Sequence, residues 1–325
     1  MAGESINYGH AEAFQDYIRE FSEGYYTRMF YGFRTAQLAQ PFEGVKGELV
    51  LTELEIGENL ARRWDKTFQA VANAIDLKPN VLKTALNKID FSIVPQLYEK
   101  SYVGQARKKG QSSEDWPFQA YVLDKVMAKL KQEFETAIWK GEEAAVPTSG
   151  QYLRETFDGY LKLIVDAITA NAITPVVTGA ISQANAVEAL RTMWEQVGEA
   201  EKEGGVDIML SYAHYDNYRK RYKALFGANP EETTLINNAG YAINGLRYEL
   251  GGGNTYLIPI AGLSGSSRIV ITPRENLVYG MDDPADTEMF EVEKQTRELR
   301  FWMDFRMGAQ ILLKKDGILT VNDQE

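Results

Sequence analysis

Residues 275–313 read ENLVYGMDDPADTEMFEVEKQTRELRFWMDFRMGAQILL. The first half gathers acids at Asp282, Asp283, Asp286 and Glu288, and the second half interleaves aromatics with arginine. Three roles fit such a stretch: an acid-lined active site, a metal loop, or scaffold that touches copies of the same chain. Pro284 inside DDPAD favours a turn between strands. The alternating acids and the glycine of an EF-hand are missing, so no calcium or magnesium site is expected. Around the turn, the runs Glu288–Val292, Leu299–Phe305 and Ala309–Leu313 read as strands, as do Tyr256–Ile260 and Arg268–Ile271 further upstream.

Working outward, the strongest local signal is a helix over Pro117–Lys140. Apolar residues recur there at three- and four-residue steps (Leu123, Val126, Met127, Leu130, Phe134, Ala137, Ile138), with Pro117 suited to the first turn and Gly141 to the stop. Further helices are expected over Ser182–Val197 and around Tyr215–Phe226, the latter closed by Gly227, with a buried strand at Val206–Leu210 between them. Between Lys66 and Val94 two extended runs flank Lys78-Pro79-Asn80, and the second alternates Ile89, Phe91 and Ile93 with Asp90 and Ser92. A hairpin turning near Pro79 is one reading, and a helix over Asn80–Lys88 competes with it. The class is therefore α+β, with the last third mostly β.

The first forty residues carry Phe14, Tyr17, Phe21, Tyr25, Tyr26, Phe30, Tyr31 and Phe33. They form either an arm that buries its aromatics on another surface or a short helix, Glu12–Phe21, packed on the chain's own core. No repeat of 20–50 residues and no low-complexity block is present.

Bulk composition narrows the function. The 325 residues are 44% hydrophobic and 25% charged, enough for one large domain or two intimate ones. No apolar run approaches the ~20 residues that span a bilayer, and MAGESINYGHAEAF has neither a basic start nor an apolar core, so no signal peptide is expected. The absence of cysteine excludes disulfides, thiolate nucleophiles and Cys-type metal sites. A net charge of −11 argues against gripping DNA through phosphate contacts, though not against enclosing it.

Few residues offer catalytic chemistry. His10 and His214 are the two histidines, and no HExxH occurs. Ser211, His214 and Asp216 lie within six residues, a spacing that seldom lets three side chains converge. GYAING (Gly240–Gly245) begins like a phosphate loop but has Leu246 and Arg247 where Lys and Ser/Thr are needed. Gly251–Gly253 precedes a strand, not a helix, and GLSGS (Gly262–Ser266) ends in serine where a nucleophile elbow needs glycine. The basic run Arg219, Lys220, Arg221, Lys223 reads as the solvated face of a helix. Trp64, Trp116, Trp139, Trp194 and Trp302 are candidate binding platforms, two of them (Trp139 and Trp194) on expected helices where a core role dominates. No catalytic, cofactor or metal site is expected. The competing enzyme reading is a hydrolase built on the acids near Asp282 or on the Ser211 group.

Taken in order, these pieces resemble the major capsid proteins of tailed bacteriophages of the Hong Kong 97 type. The residues that carry the resemblance are Thr272–Asp282 (TPRENLVYGMD), Phe290–Val292 and Phe305–Ile311 (FRMGAQI). Upstream they are Ile89–Gly104, Trp116–Gly141, Gly159–Ile168 and Ala180–Trp194. The resemblance spans about the last three-quarters of the chain. It implies an N-terminal arm (1–50), an extended β-hairpin loop (51–95), a peripheral domain (96–160 and 270–325) holding a long spine helix (117–140), and an apical domain (161–269). It implies a shell of hexamers and pentamers around double-stranded DNA, assembled in the bacterial cytoplasm and ending in the virion. Portal, scaffolding and head accessory or decoration proteins are the implied partners, with no membrane and no cofactor. No long heptad marks a fused scaffold, so a separate scaffolding protein or none is expected. Some relatives crosslink through a hairpin lysine; Lys66, Lys78, Lys83 and Lys88 occupy that region, but lysines are common on exposed strands and no crosslink is expected from them. An encapsulin-type compartment shell shares the fold and is the nearest alternative.

Overall fold

The structure is a computed structural model, and it describes residues 29–56, 61, 63–67, 75–94, 118–144, 152–236, 242–252, 254–283, 291–295 and 298–324. In chain order the strands are β1 Gln40–Phe42, β2 Glu48–Ile56, β3 Ile75–Lys83, β4 Ala85–Ile93, β5 Asp207–Leu210, β6 Glu232–Ile236, β7 Ala242–Arg247, β8 Tyr256–Pro259, β9 Val270–Thr272, β10 Leu277–Met281, β11 Glu291–Gln295, β12 Glu298–Ile311 and β13 Thr320–Val321. The helices of four residues or more are α1 Phe118–Lys140, α2 Tyr160–Thr169, α3 Ala186–Glu195, α4 Glu199–Gly204 and α5 Tyr212–Phe226.

The quoted C-terminal stretch organises the first sheet. Strand β12 runs unbroken for 14 residues. One of its edges pairs with β4 from Leu299 to Met307, and the other pairs with β11 at one end and β10 at the other, with β1 completing the order. Phe301, Met303, Phe305 and Met307 point into the core, while Asp304 lies exposed between them, as the two-residue period of a strand dictates. The two strands expected at Leu299–Phe305 and Ala309–Leu313 are thus one strand. The reason is Gly308, which does not interrupt it: a Cβ there would meet the Lys83 carbonyl oxygen at 1.9 Å. Glycine is required by the close approach of another chain segment, not by a turn. The strand expected at Glu288–Val292 begins at Glu291 in the described residues.

The hairpin is not where the sequence placed it. Strand β2 pairs antiparallel with β3, from Glu48↔Lys83 to Ile56↔Ile75, and Pro79 sits opposite Thr52 inside the ribbon. The ribbon is nine residues long, roughly 30 Å. A two-stranded ribbon leaves each strand one edge without ladder bonds, so a residue lacking N–H fits there. Strand β4 leaves the ribbon and joins β12, which rules out the helix over Asn80–Lys88 as well. The Asn80 amide donates to the carbonyls of Ile311 (2.7 Å) and Leu312 (2.9 Å), and Gln310 Nε2 donates to Val81 O at 2.7 Å. These bonds fasten the ribbon base to the end of β12.

Helix α1 is 23 residues long, about 35 Å, and buries Met127, Leu130, Phe134, Ala137 and Ile138. Its expected first residue, Pro117, lies outside the described residues. Phe134 is the hub of an aromatic cluster with Phe30 (5.4 Å), Phe305 (5.2 Å) and Phe33 (6.1 Å). Phe30 and Phe33 therefore bury themselves in the chain's own core, and the partner-seeking reading does not apply to them. The expected helix Glu12–Phe21 lies outside the described residues.

The second sheet has the order β13-β9-β5-β8-β7-β6 and is mixed, with β5 and β8 parallel. Ile208, Leu210, Leu246, Leu257 and Ile271 form one core with α3 and α5. Met209, Ile243, Ile258, Val270 and Val321 belong to the core of α1 and the first sheet. Alternation along the strands lets one sheet serve two cores, which is why its central strand β5 is buried at every position.

Candidate functional site

Of the acids in the opening stretch, Asp282 has a structural role. Asp282 Oδ2 accepts the Arg306 backbone N–H at 2.7 Å, and Arg306 Nε lies 3.9 Å from Oδ1. The carboxylate thus ties the end of β10 to β12. Asp286 and Glu288 lie outside the described residues, as does the expected turn. Among the described residues no group of three or more His, Cys, Asp or Glu side chains could hold a metal ion.

The structure does not bring Ser211, His214 and Asp216 together. Ser211 is the N-cap of α5, its hydroxyl accepting the His214 backbone N–H at 3.4 Å. The imidazole is buried, with its Nδ1 lacking a hydrogen-bond partner, whereas Asp216 is exposed two residues further on. Positions two apart on a helix do not face each other. Burial lowers the His214 pKa below its ordinary value, a hydrogen bond with the Ser267 backbone offsetting part of this. A buried imidazole with no hydrogen bond to Ser211 or Asp216 is a packing residue.

The basic run divides in two. Arg219 pairs with Glu232 at 2.6 Å, and Arg221 pairs with Glu188, so these two brace α5 against β6 and α3. Lys220 and Lys223 are exposed. Residues Ala242–Gly245 of GYAING lie within β7, which excludes a phosphate loop there. Gly262 sits in a short 3-10 turn pressed against α1, where a Cβ would meet Glu135 O and Trp139 Cδ1 at 2.4 Å each.

Trp139 and Trp194 are buried and Trp302 is half-buried, whereas Trp64 is 81% exposed in the loop joining β2 to β3. Trp116 lies outside the described residues. Arg63, Asp65 and Lys66 flank Trp64 and are exposed as well. Of the hairpin-region lysines, Lys83 lies 3.8 Å from Glu48 and Lys88 is 2.5 Å from Asp90. The hydrogen bond to Asp90 raises the Lys88 pKa, which keeps the ammonium protonated.

Two groups that composition did not flag hold the fold's junctions. Glu135, buried near the C-terminal end of α1, accepts from the Thr35 N–H (2.9 Å) and the Thr35 hydroxyl (2.7 Å). Asp207, buried on β5, pairs with Arg274 just before β10. Burial raises both carboxyl pKa values, with the donors partly opposing it. No local pattern marks either one, because each partner is far away in sequence.

No protein-family model and no curated protein matches the sequence. Solved structures do match over most of the chain. A chain from the satellite phage P4 procapsid, in a structure that includes the size determination (Sid) protein, is 12% identical with a TM-score of 0.57, covering 92% of this chain and 98% of that one. A chain from the capsid of the empty GTA particle is 11% identical with a TM-score of 0.53, covering 88% and 87%. The holo-SrpI encapsulin of Synechococcus elongatus PCC 7942 is 11% identical with a TM-score of 0.47, covering 88% and 85%. The protein has the α+β, Hong Kong 97-like capsid fold that the sequence led us to expect.

Proposed function

We propose that this chain is a major capsid protein of the tailed-bacteriophage, Hong Kong 97 type. Its copies would associate as hexamers and pentamers into an icosahedral head around double-stranded DNA. The observation that carries this reading is the nearly end-to-end likeness to a procapsid chain, 92% of one and 98% of the other. Two features of the molecule support it. The β2–β3 ribbon ends in an exposed Trp64 loop that packs on nothing described in its own chain. Ser211 and Asp282, two of the residues with catalytic potential, are occupied in holding the fold, as the cap of α5 and the tie to the Arg306 N–H.

In this reading residues 1–50 form an arm, 51–95 the extended loop, 96–160 and 270–325 a peripheral domain with its spine helix at 117–140, and 161–269 an apical domain. Strand β4 lends the first sheet its pairing with β12. A portal, a scaffolding protein and decoration proteins would be the partners, assembly would take place in the bacterial cytoplasm, and the mature protein would reside in the virion. The acidic balance, −11 overall, suits a container that must not adhere to its own genome.

Replacing Asp282 and Asp283 with asparagine, followed by sedimentation velocity and a hydrolase screen, tests the reading. A shell subunit sediments as large particles whose yield changes or stays the same, and no activity is lost. A hydrolase stays soluble and loses turnover. Small shells that copurify with a cargo enzyme would point to an encapsulin-type compartment instead.

A further inference from the structure

Residues 29–39 lie over the long helix α1 before β1 begins at Gln40. Backbone bonds inside the segment are local. Gln37 N–H donates to Arg34 O at 3.2 Å, and the Leu38 and Ala39 N–H groups donate to Thr35 O at 3.0 and 2.8 Å. No residue of 29–39 belongs to a strand. A segment of this kind can leave the body of the chain with its own turn intact, because no ladder has to break.

Its apolar and polar contacts pull in opposite senses. Met29, Phe30, Phe33 and Leu38 are buried and hold it down, Phe30 against Phe134 and Phe305. Beneath it, two polar groups carry costs that water would relieve. Arg34 Nε is buried without a hydrogen-bond partner, although Nη2 donates to the Asn244 carbonyl of β7. Glu135 is only 4% exposed, and the Thr35 N–H, the Thr35 hydroxyl and the Gly262 N–H return part of the hydration its carboxylate has lost.

We propose that residues 29–39 form a strap that lifts as one unit to let water reach Glu135 and Arg34, and that protonation of Glu135 holds the strap closed. An ionised carboxylate gains hydration when the strap lifts, and a neutral carboxyl gains far less. Burial raises the Glu135 pKa from the ordinary 4.5, with the Thr35 bonds and Arg34 partly opposing it. Closure therefore takes up a proton and weakens as pH rises through the raised value. Few charged or titratable groups surround the carboxyl. Arg34 belongs to the strap, Lys131 stands one turn back on α1, and α2 contributes the buried Tyr160 phenol, with Tyr279 of β10 beside it. The turn Ala261–Leu263 contributes none, and Leu153–Glu155 meets the chain past the helix end, where Glu142 N–H donates to Arg154 O at 2.8 Å. Lifting would bare the Phe134 and Phe305 rings that Phe30 covers. The inference does not rest on the shell reading.

Amide hydrogen exchange of the full-length chain at a series of pH values tests it, with sedimentation velocity confirming one assembly state throughout. The probe is the Thr35 N–H, which opens to water when the strap lifts. Its protection is corrected for the intrinsic exchange rate and referenced to the amides of β12, which removes any global unfolding. Relative protection should fall severalfold as pH rises above 4.5. Glu135→Gln, neutral at every pH, should hold the ratio constant. Should that variant fail to fold, Arg34→Gln removes the cation that opposes burial and should move the midpoint to higher pH. Thr35 exchanging in step with β12 at every pH, an unaltered pH dependence in Glu135→Gln, or an unmoved midpoint in Arg34→Gln overturns the inference.

Discussion

Thr35 and Glu135 are a hundred residues apart in sequence and share two hydrogen bonds, from the Thr35 N–H at 2.9 Å and from its hydroxyl at 2.7 Å. The same hydroxyl accepts the Trp139 indole N–H at 2.6 Å. One threonine thus locks the segment before β1 onto the C-terminal end of the long helix. Thr35→Val should cost about 1–3 kcal/mol, because it removes the acceptor of a buried indole N–H and one donor to a buried carboxyl. Urea denaturation of the unassembled chain checks this, the midpoint falling while the slope stays constant. An unchanged midpoint would mean that the lock contributes nothing.

Gly308→Ala tests the crossing of β12 under the ribbon base. The added methyl would stand 1.9 Å from the Lys83 carbonyl oxygen, which belongs to backbone and cannot swing away. A loss of about 1–3 kcal/mol or more is expected. Thermal melts of wild type and variant, compared at equal concentration, measure it. A variant as stable as the wild type contradicts the close approach.

Acid sensitivity has a named source. The buried His214 imidazole has its pKa lowered from the ordinary 6.5, so the unfolded chain holds that proton more tightly than the folded one. Stability from this residue is present above 6.5 and is lost as pH falls below it. Glu135 acts in the opposite sense. Burial raises its pKa above 4.5, protonation favours the fold, and that gain fades as pH rises through the raised value. His214→Gln should therefore flatten the acid limb of a stability-versus-pH curve. If the limb keeps its slope, the proton responsible is elsewhere.

Trp64→Ala separates folding from assembly. The side chain is 81% exposed, so its removal should change the stability of the single chain by no more than about 0.5 kcal/mol. In the shell reading the indole would supply apolar area to a neighbour, so particle yield in the same preparation should drop. Equal yields from variant and wild type would remove the ribbon tip from the contact surface.

The long helix was legible because a single face of it is apolar over six turns, and Gly141 stops it where the structure does. Helix α5 and its Gly227 cap, with φ of 69°, were legible for the same local reasons. The ribbon was not. Pro79 is ordinarily a turn residue, and the evidence against a turn, its pairing with Thr52, lies outside any local window. Gly308 misled in the same way: its neighbour is the Lys83 carbonyl, more than two hundred residues upstream. Asp282 looked chemical because its partner, the Arg306 N–H, belongs to β12, two strands further along the chain.

The most direct test of the shell reading is negative-stain electron microscopy of the purified full-length chain, with light scattering on the same sample for mass. The account predicts closed shells, tubes or ring-shaped capsomers. Uniform monomers or dimers at every salt and protein concentration, persisting when a scaffolding partner is coexpressed, would contradict it.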